Sequence, residues 1–292
     1  MYEDNPMLKI SDLLNQAVYG DTPLGRNIAG SVTSVSSFTH KHLIQFYQAH
    51  YSPKNMLLVI AGGVQGSRVR SSLRRFFATD RRLAPNAKYQ KQRTFRNRIA
   101  LKRFESEQVT CAFSLPAFRH NDPRLLALKL LSVIVGEGMS SRLFTEIRER
   151  RGLCYSVSSG VDSLYDTGSF FVSAGLDKIR FHEAFLAIWD VLEGVRRNGV
   201  SEEELIRAKT NSKGKFLISM EDSDAVARYW GFNALFKQIY ESPTQFLKRL
   251  ERVSLRDVNT VAKAVIDRSK MSLAVVGRFK NENEVAKIVS KA

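Results

Sequence analysis

The chain has 292 residues, 43% of them hydrophobic and 10% aromatic, with 7 prolines; it has the composition of a folded globular protein and enough length for two domains, each with its own core. Its 45 Lys+Arg against 29 Asp+Glu give a formal charge of +16, which attracts nucleic acid, acidic membrane or acidic polypeptide without choosing among them. Two cysteines make neither a disulfide framework nor a metal clip, and no apolar run is long enough for a membrane span or a secretory leader, so a cytoplasmic protein is expected.

In chain order, YEDNPMLKISDLLNQ opens on a helical pattern. SFTHKHLIQFYQAHYSPKNMLLVIAGG follows, with Thr39 as a helix N-cap, apolar positions three or four apart, a polar turn, and a β-rich run ending at glycine. SRVRSSLRRFF predicts another short helix. Much of the basic excess lies between Arg68 and Arg103. Without an RNP-like motif or a zinc finger it reads as a solvated helix face plus a basic linker rather than an RNA site.

From Phe104 onward the pattern changes. VTCAFSLPAF predicts a strand, and NDPRLLALKLLSVIVG predicts a helix with Asn121 as cap and Pro123 in its first turn. GEGMSSR ends that helix and caps the next, SSRLFTEIRERRG, which stops at Gly152. LCYSVSSGVD and GSFFVSAGLD read as antiparallel strands around the turn-prone SLYDTG. A long amphipathic helix, RFHEAFLAIWDVLEGVRRNG, ends on a glycine. Ser201 caps the next helix, whose first turn is acidic. Cys111 and Cys154 both sit in apolar runs and read as small core residues.

RVSLRDVNTVAKAVIDRSKMSLAVVGR, residues 252–278, aligns without a gap on residues 37–63: Thr39 falls on Ser254, Phe46 on Val261, Met56 on Met271 and Gly62 on Gly277. The same order of helix, turn and β-run twice over points to a duplicated unit. Strands and helices do not alternate strictly. The expected fold is therefore α+β: two related domains of mainly antiparallel sheet with helices packed on one face, the first domain incomplete. The boundaries are 1–85 for the later part of a first domain, 86–103 for a basic linker, and 104–292 for the second domain. The first 80 or so residues, as half a sheet, are expected to expose an unpaired edge.

The five histidines, His40, His42, His50, His120 and His182, form neither H-E-x-x-H nor H-x-x-E-H, and no metal ligand is assigned. There is no nucleophile elbow, phosphate-binding loop or dinucleotide fingerprint. Attention falls on SRLFTEIRERRGLCYSV, residues 141–157. A helix ending at Gly152 puts Arg148 in its last full turn and Tyr155 in the following strand. Strict alternation would then group Leu153, Tyr155 and Val157 on one face, with Cys154, Ser156 and Ser158 on the other. A cationic and a phenolic donor converging on one oxygen can stabilise oxyanion charge. On spacing alone, Arg148 favouring the negative helix end and Tyr155 packing half-buried is the simpler reading.

SSRLFTEIRERRGLCYSVSS with DTGSFFVSAGLD resembles the second-domain signature of the zinc metallopeptidases of the pitrilysin and insulinase group (M16), which includes the mitochondrial processing peptidases. GVSEEELIRAKTNSKGKFLISMEDS is similar to the helix pair that follows that signature, and FYQAHYSPKNMLLVIAGGV to the later part of the first domain. The resemblance implies a duplicated α+β fold and peptide-bond hydrolysis at a zinc site held by H-x-x-E-H, a motif this sequence lacks. It also implies that Arg148 and Tyr155 reach the substrate carbonyl and its tetrahedral intermediate. The expectation is the C-terminal portion of a zinc metalloendopeptidase, with no cofactor in this chain, zinc supplied by a complete family member or a partner, and no activity alone. Polypeptide substrate and a homologous zinc-bearing subunit or a homo-oligomer are the implied partners, with no membrane. The alternatives are a non-catalytic subunit or scaffold and, more weakly, a basic nucleic-acid binder.

Overall fold

The computed structural model describes residues 5–76, 99–237, 240–279 and 285. Its main elements, in chain order, are α1 (Pro6–Tyr19), α2 (Val32–Ser36), α3 (His40–His50), α4 (Gly66–Phe76), β1 (Ile99–Arg103), β2 (Gln108–Pro116), α5 (Leu125–Gly136), a π-helical segment (Phe144–Arg150), β3 (Cys154–Ser163), β4 (Gly168–Asp177), α6 (Phe181–Asn198), α7 (Glu202–Ser219), α8 (Ser223–Phe232), a second, shorter π-helical segment (Asn233–Lys237), α9 (Pro243–Arg252), α10 (Leu255–Val265) and β5 (Ser272–Gly277). The chain divides into two compact units, one of residues 1–26, 92–213 and 244–292, the other of residues 27–91 and 214–243.

The first unit is built on one five-stranded sheet in the order β1-β5-β2-β4-β3. β5 runs parallel to β1, and the other pairs are antiparallel, which makes the class α+β as expected. On one face Phe113 and Leu115 of β2 meet α5, α6 and α10. There Phe113 stacks on Trp189 with ring centroids 4.9 Å apart, amid Leu128, Leu131, Phe185 and Val261. The other face of β2 and β5 presents Ala112, Ala274 and Val276, against which α1 lays Ile10, Leu14 and Val18. Two alanines in neighbouring strands (Ala112↔Ala274) leave room for a helix backbone to come close. β5 is therefore buried along its whole length, and SLAVVG carries no polar alternation for that reason.

α1, expected with the first domain, thus belongs to the unit that carries the sheet. Ile99–Arg103, the end of the expected linker, is the edge strand β1; residues 86–98 lie outside the described residues. Beyond Phe279 only Val285 is among the described residues, and it is buried. α5 starts later than expected. Asp122 accepts a hydrogen bond from the Arg124 amide at 2.9 Å and pairs with its guanidinium at 2.7 Å, so this turn replaces a cap at Asn121 and the helix begins at Leu125. Cys111 and Cys154 are buried free thiols, and burial pushes the Cys111 thiol up to about 12.

In the second unit α3 and its surroundings match α10 element for element at the offset seen in the sequence. His40–His50 corresponds to Leu255–Val265, and Thr39 with His42 forms a capping box as Ser254 does with Asp257. Single 3-10 turns follow at Pro53–Asn55 and Arg268–Lys270. The two then diverge. Ser272–Gly277 is a central strand, whereas Met56, Leu57, Leu58 and Ile60 are extended without a strand partner among the described residues and are 45–54% exposed. No apolar side chain described in this unit is fully buried.

Candidate functional site

The helix carrying Arg148 starts at Arg142. Ser141 prepares it: its hydroxyl donates to the Gly138 carbonyl at 2.7 Å, and its own carbonyl accepts the Thr145 amide at 3.0 Å. GEGMSSR thus closes α5 and starts the next helix, as expected. Leu143 and Ile147, four apart, are fully buried in the core. From Phe144 to Arg150 the winding is π-helical, a form found mostly as short segments and often at functional sites.

The helix ends on Gly152, whose φ of 58° is the left-handed conformation that glycine adopts at no steric cost. That turn lets the Leu153 amide reach back to the Ile147 carbonyl at 2.9 Å, while Leu153 itself is buried at 1% exposure. The Gly152 carbonyl accepts a hydrogen bond from Arg180 at 2.6 Å. The chain then enters β3 through a β-bulge: Cys154 pairs with Leu176 and Ser156 with Gly175, so Tyr155 is the extra residue.

The bulge overturns the expected alternation. Cys154 and Val157 both join the core, and Tyr155 and Ser156 are both exposed. Tyr155 is 56% exposed and carries no hydrogen bond among the described residues. Arg148 is exposed as well, with its guanidinium carbon 5.0 Å above the Phe144 ring. The neighbouring arginines are occupied: Arg150 and Arg151 both pair with Glu146, at 3.1 and 3.0 Å. Arg148 makes no ion pair among the described residues. Its charge is felt at Cys154, the residue before Tyr155: burial raises that thiol, and Arg148 partly counters the rise.

Both expected residues therefore stand at one helix-to-strand corner, each on a backbone irregularity, and their donor groups have no hydrogen-bond or ion-pair partner among the described residues. Sequence reading missed Phe144, although its place one turn before Arg148 was a usable signal. It also missed Arg142, which reaches Glu204 at 2.6 Å.

The family profile described as the peptidase M16 inactive domain matches residues 37–212, more than half of the chain. The chain belongs to the peptidase M16 family. It is 32% identical over 97% of its length to a protein of Streptomyces coelicolor described as an uncharacterized zinc protease, and it spans 63% of that relative. Among solved structures, the fold matches the peptidase M16 inactive domain of Pseudomonas fluorescens with a TM-score of 0.86 at 21% identity, covering 95% of this chain and 66% of the other. It also matches a chain of complex III from Candida albicans with a TM-score of 0.85 at 16% identity, covering 99% and 71%.

Zinc is thus named in relatives of this M16 chain, but the residues present do not fit it. H-x-x-E-H is absent from the sequence, and among the described residues no three or more His, Cys, Asp or Glu side chains gather where a metal could be held. Among the same residues no helix is long and apolar enough to cross a membrane.

Proposed function

We propose that this chain is the substrate-side portion of an M16 zinc metalloendopeptidase. It binds extended polypeptide, and Arg148 and Tyr155 donate hydrogen bonds to the scissile carbonyl oxygen as that oxygen gains negative charge. Both groups are pure or ready donors, one permanently cationic and one phenolic; donors fixed before reaction stabilise developing charge without reorganising. The observation that carries this reading is the corner itself, where two irregular turns present two donors with no partner among the described residues.

The water-activating part of the site comes from outside this sequence, either from a region present in the longer relatives or from a homologous zinc-bearing subunit. The likeness of α3 to α10 at a constant offset supports a duplicated architecture in which such a complement exists. The exposure of Met56–Ile60 supports a partner there. The nucleic-acid alternative gains no support.

The test is reconstitution with an M16 homologue that carries H-x-x-E-H, assayed on an unstructured polypeptide. Peptidase activity is expected only on mixing, with Arg148→Ala and Tyr155→Phe each lowering kcat by about 10²- to 10³-fold, the scale of removing one oxyanion donor. Complex formation without activity, or full activity in both variants, would replace this reading with that of a non-catalytic scaffold subunit.

A further inference from the structure

The π-helical winding of Phe144–Arg150 needs a cause, since i→i+5 turns are rare and short where nothing imposes them. The segment is held at both ends. At its start the Arg142 guanidinium forms a two-point ion pair with Glu204, Nε to Oε1 at 2.6 Å and Nη2 to Oε2 at 2.7 Å; the same Nη2 donates to the Gly199 carbonyl at 3.1 Å.

Glu204 is itself fixed. Its Oε2 accepts the Ser201 amide at 2.7 Å, and its own amide donates to the Ser201 hydroxyl at 3.2 Å, a capping box at the start of α7. The corner it stands on is braced from α10, where Asn259 accepts the Val200 amide at 2.8 Å. The side chains of Arg142 and Glu204 are only 30% and 15% exposed, so the pair is held in a site partly shielded from water.

At the other end the segment is closed by the bond from Leu153 to Ile147, by Arg180 on the Gly152 carbonyl, and by the first β3 pair, Cys154 with Leu176. Between these two anchors Leu143 and Ile147 must both stay in the core. A wider turn takes up residues that regular α-winding would push past the second anchor. Rewinding to α would rotate the chain after Ile147 relative to these two anchors and so change the direction in which Arg148 leaves the helix.

We propose that the Arg142–Glu204 pair is a positioning element that keeps residues 144–150 in the π register and so aims Arg148; the catalytic consequence rests on the function proposed above. Arg142 touches no reacting atom in this scheme and acts through Arg148.

The experiment uses the full chain with Glu204→Gln, and Arg142→Met with Glu204→Leu as an apolar replacement that folds without an unpaired charge. Backbone NMR shifts or a crystal structure read residues 144–150, and the reconstituted peptidase is assayed in parallel. The expected result is loss of the π winding in both variants. With it kcat falls about tenfold to a hundredfold, the scale of a misplaced group, with KM nearly unchanged, and the variants combined with Arg148→Ala are no slower than Arg148→Ala alone. An intact π segment with Arg148 still over Phe144 in both variants would overturn the proposal. So would a loss of kcat that multiplies with that of Arg148→Ala. A lost π segment in an assay where Arg148→Ala itself costs nothing would leave the positioning role standing and sink the proposed function instead.

Discussion

The attachment of α1 to the sheet predicts a specific alkaline weakness. Tyr19, the last residue of α1, is buried at 6% exposure beside Leu14 and Val18. Burial first, and then the charges of Asp162 and Asp166, push its phenol from 10 up to about 12. The folded chain therefore keeps its proton where the unfolded chain has lost it. A raised value of this kind contributes stability that is complete below pH 10 and is lost as pH rises towards 12. The gap is on the order of 3 kcal/mol by pH 12, enough to free α1 locally before the rest of the sheet unfolds. Hydrogen exchange of the α1 amides, or stability followed from pH 8 to 11.5, is to be compared between the natural chain and Tyr19→Phe. The variant removes the titrating group while leaving the ring in the core, so it should lose less stability over that interval; Asp162→Asn should show a smaller improvement in the same direction. Lysines and other tyrosines titrate in both chains and cancel in the difference. Parallel decline of natural chain and Tyr19→Phe would refute the reasoning.

Two further outcomes follow from the same structure. Residues 27–76, with no fully buried apolar side chain among those described, should exchange amide hydrogens orders of magnitude faster than β2, β4 and β5 in the isolated chain. Adding a zinc-bearing homologue should slow that exchange, most of all across Met56–Ile60; equal protection in the isolated chain would contradict the expectation. Phe144→Leu keeps an apolar side chain beneath Arg148 but removes the ring face. It should lower kcat of the reconstituted peptidase by about twofold to fivefold, the size of an exposed cation–π contact, and an unchanged kcat would show that Arg148 is held by other means.

Much of the fold is legible in the sequence because local signals are strong where they coincide. Ser254 and Asp257 make a capping box directly before an amphipathic run, and Gly199 ends α6 with a φ of 76° at the position its sequence indicates. The place of α1 is not legible in this way. An amphipathic helix announces that one face will be buried, but the complementary surface, Ala112 and Ala274 on neighbouring strands, is assembled from residues 162 apart. The last five residues of the expected linker differ from expectation for a related reason: IALKR has no strand alternation of its own and becomes β1 where β5 offers it an edge.

The site shows the same limit more sharply. Arg148 and Tyr155 can be picked out by likeness to a family signature, but the geometry of the corner they stand on depends on two departures from regular structure that no period of 3.6 or 2 predicts. Alternation counted from Leu153 put Tyr155 with the apolar residues, and the bulge reversed it. α-winding counted from Arg142 would place Arg148 on a different bearing, and the π segment reverses that as well. Each irregularity inserts residues between fixed neighbours: Ile147 and Leu153 in the core on one side, Leu176 and Gly175 on β4 on the other. The corner is thus over-determined by packing that extends beyond it, and its two donors are exposed because the residues around them are committed elsewhere. Glu146 takes Arg150 and Arg151, and Glu204 takes Arg142. In a chain with 45 basic residues, one guanidinium without a carboxylate among the described residues carries less information than the arrangement that pairs Arg142, Arg150 and Arg151 around it and leaves Arg148 beside the tyrosine's strand.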